Sequence, residues 1–237
     1  MKLRTASSPL RHNRSHNGIQ PLAQLLLIIV AIATIVILAT WLSRPAPPKP
    51  QICVGFDVSA SHVPAERKRD FGAVLAAVDS ALPAHSPLHL WAFDYDARKF
   101  YDGKPERSQD LWPVEDSLTN YKSLTRGTRP SEALRQMLPA LARANKEGKQ
   151  SAIVLVWDGG AETDAPALQK AVAQLAQMPG ICAVWLVGVK SDEGLRSDVD
   201  RIFAPFGSRL IVSGPLDMQS GLDALRERLR DTKEGQR

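Results

Sequence analysis

Residues 51–63 read QICVGFDVSASHV. The apolar run Ile52–Phe56 stops at Asp57, and hydroxyls follow at alternate positions, Ser59 and Ser61. A short, continuous apolar run ending in a polar turn is the pattern of a strand buried on both faces, the kind found inside a parallel sheet. Such a strand needs apolar cover above and below, and the rest of the chain offers it. Phe71, Val74, Leu75, Val78 and Leu82 recur at helical spacing and form one amphipathic face. PLHLWAFD (87–94) predicts a second strand, and KFYDG (99–103) its short hairpin partner. Residues 104–127 are polar and irregular. A helix is predicted over 130–144 on Ala133, Leu134, Met137, Leu138 and Leu141, with Pro139 expected to kink it.

SAIVLVWD (151–158) is the most hydrophobic strand candidate and should be central. A helix near 166–178 follows, carried by Leu168, Ala171, Val172 and Leu175, and then a strand, ICAVWLVGV (181–189). A short helix near 194–204, a strand SRLIV (208–212) and a last helix near 215–231 complete the chain. No internal repeat is present. Strands alternating with helices predict an α/β fold, a doubly wound, mostly parallel six-stranded sheet of Rossmann-like type with helices on both faces. In such sheets ligands bind at the carboxyl ends of the strands. The informative positions therefore follow Asp57, Asp94, Asp158 and Val189.

Charge divides the chain unevenly. The whole carries +5, but residues 1–50 hold Lys2, Arg4, Arg11, Arg14, Arg44 and Lys49 and no acid. Subtracting these six from the 30 basic residues leaves 24 against 25 acidic ones, so residues 51–237 sum to about −1. A nucleic-acid-binding domain would carry its positive excess on the folded part, so that class is disfavoured. Leu22–Leu42 is an uncharged apolar stretch; at about 1.5 Å per residue it spans about 31 Å, close to the hydrocarbon core of a bilayer. The more basic flank precedes it, which predicts a basic cytoplasmic tail (1–21), a single membrane-spanning helix (22–42) and an extracytoplasmic remainder, periplasmic or extracellular. A cleaved signal peptide is the competing reading, against which stand the long polar region before the apolar run and the length of that run. SRPAPPKPQ (43–51) contains four prolines and reads as a stiff, extended linker (43–50) ahead of the domain at 51–237.

Two strands end alike, VGFDVSAS and LVWDGGAE. If they are parallel neighbours, Asp57 and Asp158 face one crevice, where two carboxylates repel unless something positive lies between them. Carboxylates and hydroxyls are hard oxygen ligands and suit Mg²⁺ or Mn²⁺ better than zinc. LTRGTRPSEAL (124–134) places a further hydroxyl, Thr128, just ahead of a helix whose first turn holds Pro130 and Glu132; that start is needed whether or not Thr128 binds metal. The alternative for each aspartate is a turn or a helix cap. Arg126 and Arg129, flanking Thr128, read either as attractors of an acidic partner or as solvated loop residues. Trp112 reads as a partner contact or a loop anchor, whereas Trp91, Trp157 and Trp185 belong to the core.

These residues resemble the von Willebrand factor type A domain with a metal-ion-dependent adhesion site. That family's motif is Asp-x-Ser-x-Ser after the first strand, a Thr on a later loop and an Asp ending the fourth strand. Asp57, Ser59 and Ser61 match the first part, Thr128 in GTRPSEAL the second and Asp158 in VLVWDGG the third. The resemblance spans about residues 51–232. It implies that Ser59, Ser61 and Thr128 touch the metal, that Asp57 and Asp158 act partly through water, and that a partner's Asp or Glu completes the coordination shell. His62 after the last serine and WDGG in place of Thr-Asp-Gly depart from the common pattern without removing a ligand. The family's strand order, 3-2-1-4-5-6, would separate Cys53 from Cys182 by two sheet spacings, about 9.6 Å, beyond disulfide reach. Both are therefore expected to be free, buried thiols.

The resulting expectation is a non-enzymatic, membrane-anchored module that binds a protein partner through Mg²⁺ (or Mn²⁺). Two alternatives are a structural subunit of an envelope complex, whose metal only stabilises the fold, and a metal-assisted hydrolase. The hydrolase is disfavoured because no Gly-x-Ser-x-Gly elbow, Walker A loop or Gly-x-Gly-x-x-Gly turn is present, and because position 59 is Ser where an Asp-x-Asp phosphotransfer motif needs a second acid. Asp94-Tyr95-Asp96 reads as a polar turn.

Overall fold

A computed structural model describes residues 20–43, 48–59, 64–106, 108–123, 127–160, 165–214 and 217–234. The chain divides into two units after Ala46. In the first, helix α1 (Gln20–Leu42) is long and apolar enough to cross a membrane, and its described side chains are exposed.

The second unit is a six-stranded sheet with helices on both faces. Its strands are β1 (Gln51–Asp57), β2 (Leu88–Phe93), β3 (Ala97–Gly103), β4 (Ser151–Val156), β5 (Ile181–Val187) and β6 (Leu210–Ser213), in the order β3-β2-β1-β4-β5-β6. All neighbours are parallel except β2 and β3, which form the expected hairpin. This is the strand order that the resemblance implied.

The apolar run of β1 is explained by the two layers it touches. Ile52, Val54 and Phe56 point into one core, covered by helices α2 (Pro64–Ala81) and α7 (Met218–Glu234) through Phe71, Val74, Val78, Leu225 and Leu229. Cys53 belongs to the other core, with Trp91, Ile153 and Leu155, beneath α4 (Pro130–Lys146), α5 (Ala165–Ala176) and α6 (Glu193–Phe203). Gly55 lies on this side too, where an added Cβ would come within 2.9 Å of Leu155 and 3.1 Å of Met137. The glycine lets α4 lie close against the centre of the sheet, which fixes the helix that follows Thr128.

Three expectations change. Residues 108–119, read as irregular, form a 3-10 turn (Ser108–Leu111) and helix α3 (Trp112–Thr119), because Leu111 and Leu118 are buried against the first core. Leu111, Val114 and Leu118 hold this segment, too few to mark a helical period among its polar residues. Trp112 is exposed, whereas Trp91, Trp157 and Trp185 are core residues as expected. Helix α4 runs through Pro139 to Lys146. Cys182, the second residue of β5, is half-buried rather than buried; both cysteines are free.

Candidate metal centre

Asp57 ends β1 and is fully buried. Its Oδ1 accepts a hydrogen bond from the backbone N–H of Ser59 at 2.8 Å, and Ser59 is itself buried. This local bond turns the chain at the strand end and ties the Ser59 backbone to the carboxylate. Burying a carboxylate is costly unless hydrogen bonds or a positive charge compensate it, so a wholly buried one at a ligand-binding sheet edge is chemically informative.

Thr128 reaches the same carboxylate from the loop before α4. Its Oγ1 donates to Asp57 Oδ2 at 3.4 Å, long for an O–H···O bond, so the contact orients the hydroxyl more than it binds it. The loop is held by Asp94, which follows β2. The carbonyl of Asp94 accepts from the N–H of Arg129 at 2.7 Å, and its carboxylate accepts from Ser123 Oγ at 2.7 Å and from the N–H of Asp96 at 3.1 Å. Asp94 is thus the polar turn that the sequence suggested, and it also pins the Thr128 segment. Arg129, read with two alternatives, is neither loose nor fully solvated. Its guanidinium lies 3.6 Å from the centre of the Tyr95 ring and donates to the Tyr95 hydroxyl at 2.6 Å. Pro130 opens α4, and Glu132 in its first turn is held below the usual carboxylate range by hydrogen bonds from Arg135.

Asp158 follows β4, the parallel neighbour of β1, with Phe56 opposite Val156 in register. The two aspartates therefore emerge at the same edge of adjacent strands, about 4.8 Å apart in a sheet. Asp158 Oδ1 accepts from the N–H of Gly160 at 2.7 Å. Gly159, with φ +83°, makes that reversal; a side chain there would be strained in the left-handed region and would press on Val189. The other oxygen, Oδ2, accepts from Lys190 Nζ at 2.7 Å, and the Lys190 backbone N–H donates to the Asp158 carbonyl at 3.0 Å.

Lys190 was not among the site residues expected from sequence, although it stands directly after Val189, at a strand end where ligands are sought. Nothing in the spacing between 158 and 190 signals that the two will meet. Parallel pairing of β4 with β5 brings them together.

Asp57, Ser59 and Thr128 are thus joined around one carboxylate, and Asp158 stands on the adjacent strand with an ammonium partner. Ser61 lies outside the described residues, as do His62 and Arg126. Among the described residues no three His, Cys, Asp or Glu side chains gather as metal ligands, so the candidate set depends on hydroxyls. Two carboxylates with serine and threonine oxygens fit a hard divalent cation in donor chemistry; the ammonium of Lys190, paired with Asp158, opposes it. The thiols lie elsewhere, and burial suppresses their ionisation: Cys53 is pushed far above the ordinary thiol range and Cys182 up to about 11.

No protein-family model matches this sequence, and no curated protein sequence matches it. Solved structures do. A von Willebrand factor type A protein from Catenulispora acidiphila aligns at TM-score 0.57 and 18% identity, over 78% of this chain and 42% of that one. An aerotolerance-related membrane protein from Bacteroides fragilis aligns at 0.56 and 15%, over 77% of this chain and 99% of that one. The manganese-loaded TRAP protein of Plasmodium vivax aligns at 0.60 and 12%, over 76% and 73%. At these identities the likeness concerns architecture: the sheet and its helices have the von Willebrand factor type A fold.

Proposed function

We propose that this chain is a membrane-anchored module that binds a protein partner through a divalent cation, Mg²⁺ or Mn²⁺, held by Asp57, Ser59, Ser61, Thr128 and Asp158. The observation that carries this reading is the fully buried Asp57 at the carboxyl end of β1, with the hydroxyl-bearing Ser59 and Thr128 bonded to it and Asp158 on the next strand. Asp57 and Asp158 supply the negative charge, and the hydroxyls supply neutral oxygens. When bound, the cation supplies a positive point to which a partner's Asp or Glu carboxylate can bind. Arg129, fixed on Tyr95 beside Thr128, adds a positive charge at the rim and favours the same acidic partner. The Plasmodium protein of this fold is manganese-loaded, which favours a divalent ion for this chain as well.

In this reading residues 22–42 span the membrane, residues 1–21 remain in the cytoplasm, and residues 43–50 act as a spacer. The domain at 51–237 works on the periplasmic or extracellular side. The test is calorimetric titration of Mg²⁺ and Mn²⁺ into the full chain, its Thr128→Ala variant and its Asp158→Asn variant. A wild-type Kd tighter than about 1 mM that weakens at least tenfold in either variant is expected. No binding in the wild type, or equal binding in all three, overturns the reading. Crosslinked capture from membranes should depend on Mg²⁺ and fail with chelator. Phosphoester turnover that disappears in Asp158→Asn would replace binding by hydrolysis.

A further inference from the structure

A cavity of about 460 Å³ lies at the other end of the sheet, where β1 and β2 begin and the second half of α4 passes over them. The volume is that of a small-molecule site. Its lining includes the apolar Trp91, Pro87 and Pro139 together with His89, Lys99, Arg143 and Lys149.

The acids of this cavity are already engaged. Asp102 accepts from Lys99 Nζ at 2.8 Å and lies 2.8 Å from His89 Nδ1, while Glu147 pairs with Lys149. Arg143 has no ion pair or side-chain hydrogen bond among the described residues, although its charge is felt by both His89 and Glu147. The cavity therefore holds an unspent guanidinium, the group best shaped to take a carboxylate through two parallel hydrogen bonds.

A second observation points to the same place. Seven buried side-chain polar atoms lack a hydrogen-bond partner among the described residues. Three of them, on Ser86, Gln150 and Ser151, sit on residues that adjoin the lining residues Pro87, Lys149 and Gln51. A fourth, His89 Nδ1, lies 2.8 Å from Asp102 Oδ1 and is engaged with that acid. Unpaired buried polar groups are costly and seldom gather without a ligand or water to satisfy them. Pro139 falls into place as well. Inside a helix it forfeits the hydrogen bond to the carbonyl four residues earlier, yet here its ring forms part of the cavity wall.

We propose that this cavity binds a small organic carboxylate with a ring-bearing body, its carboxylate on Arg143 and its ring against Pro87 and Pro139. The site is separate from the metal centre and does not depend on it.

The test uses the full chain in lipid nanodiscs, with 2-naphthoate and benzoate as probes and 2-naphthylmethanol as the uncharged control, read by calorimetry. Saturable one-to-one binding of a carboxylate is expected, unchanged by chelator. Arg143→Gln should weaken it at least tenfold, as loss of a charge-assisted bond predicts. Gln136→Trp, which places a bulky ring at the cavity mouth from the exposed side of α4, should abolish it. Arg201→Gln, on α6, should leave it unchanged. Absence of saturable binding by both carboxylates, equal binding of the alcohol, or an affinity within twofold of wild type in Arg143→Gln overturns the proposal.

Discussion

Lys190→Met tests the candidate metal centre most directly, because one substitution is expected to move two measurements in opposite directions. The ammonium lies 2.7 Å from Asp158 Oδ2, with the lysine side chain 61% and the aspartate 17% exposed. An ion pair that open to solvent contributes about 0.2–1 kcal/mol. The variant should therefore lose no more than about 1 kcal/mol of metal-free stability. Its effect on a cation is larger. Coulomb's law in a solvent-like dielectric gives roughly 1.5 kcal/mol of repulsion between a unit charge and a doubly charged ion about 5 Å away. Removing Lys190 should accordingly tighten Mn²⁺ binding about tenfold, while Lys190→Arg should stay near wild type. The assay is Mn²⁺ titration by electron paramagnetic resonance at low ionic strength, repeated in high salt, where screening should shrink the difference. Chemical denaturation without metal gives the stability side. Unchanged or weaker Mn²⁺ affinity in a folded Lys190→Met protein would refute the electrostatic reasoning. Absence of Mn²⁺ binding in every variant would instead refute the metal site.

Other consequences concern the scaffold. Ser213→Ala should cost about 1–3 kcal/mol by urea denaturation, because Ser213 Oγ accepts the buried indole N–H of Trp185 at 2.8 Å and alanine leaves that donor unpaired. Arg209→Met should cost about 2–3 kcal/mol in the same assay, since its guanidinium donates to the carbonyls of Ala176, Met178 and Ile181 at 2.6–3.2 Å and so closes the end of α5. Burial, aided by Lys99 and Arg143, lowers the His89 pKa against the opposing pull of Asp102. The unfolded chain then binds more protons at this position, so its contribution to stability is complete above the ordinary imidazole value of 6.5 and is lost as pH falls below it. Melting temperature should fall from pH 7 to pH 5, less steeply in His89→Gln. In thiol labelling of the native protein, Cys182 should react slowly and Cys53 only on unfolding, because burial raises both thiols and Cys53 is fully enclosed.

The backbone of the fold is legible in the order of residues because parallel strands buried on both faces must be continuous apolar runs. Ile52–Phe56, Ala152–Val156 and Ala183–Val187 announce themselves in that way. The amphipathic periods of α2, α4 and α5 follow from the same need, since each covers one sheet face. The positions of Asp57 and Asp158 at strand ends were legible for a related reason: a strand that stops at an acid marks the edge where ligands bind. What one dimension could not hold was pairing between distant positions. Lys190 meets Asp158 only because β4 and β5 are neighbours. Arg129 stacks on Tyr95 only because the loop before α4 is tied to the end of β2. The cavity under α4 joins residues from β1, β2, β3 and α4 that share no spacing rule. Hydrophobic burial acts on every turn of the chain and leaves a periodic trace in it. A charge pair or a cavity wall is a single contact across the fold and leaves none.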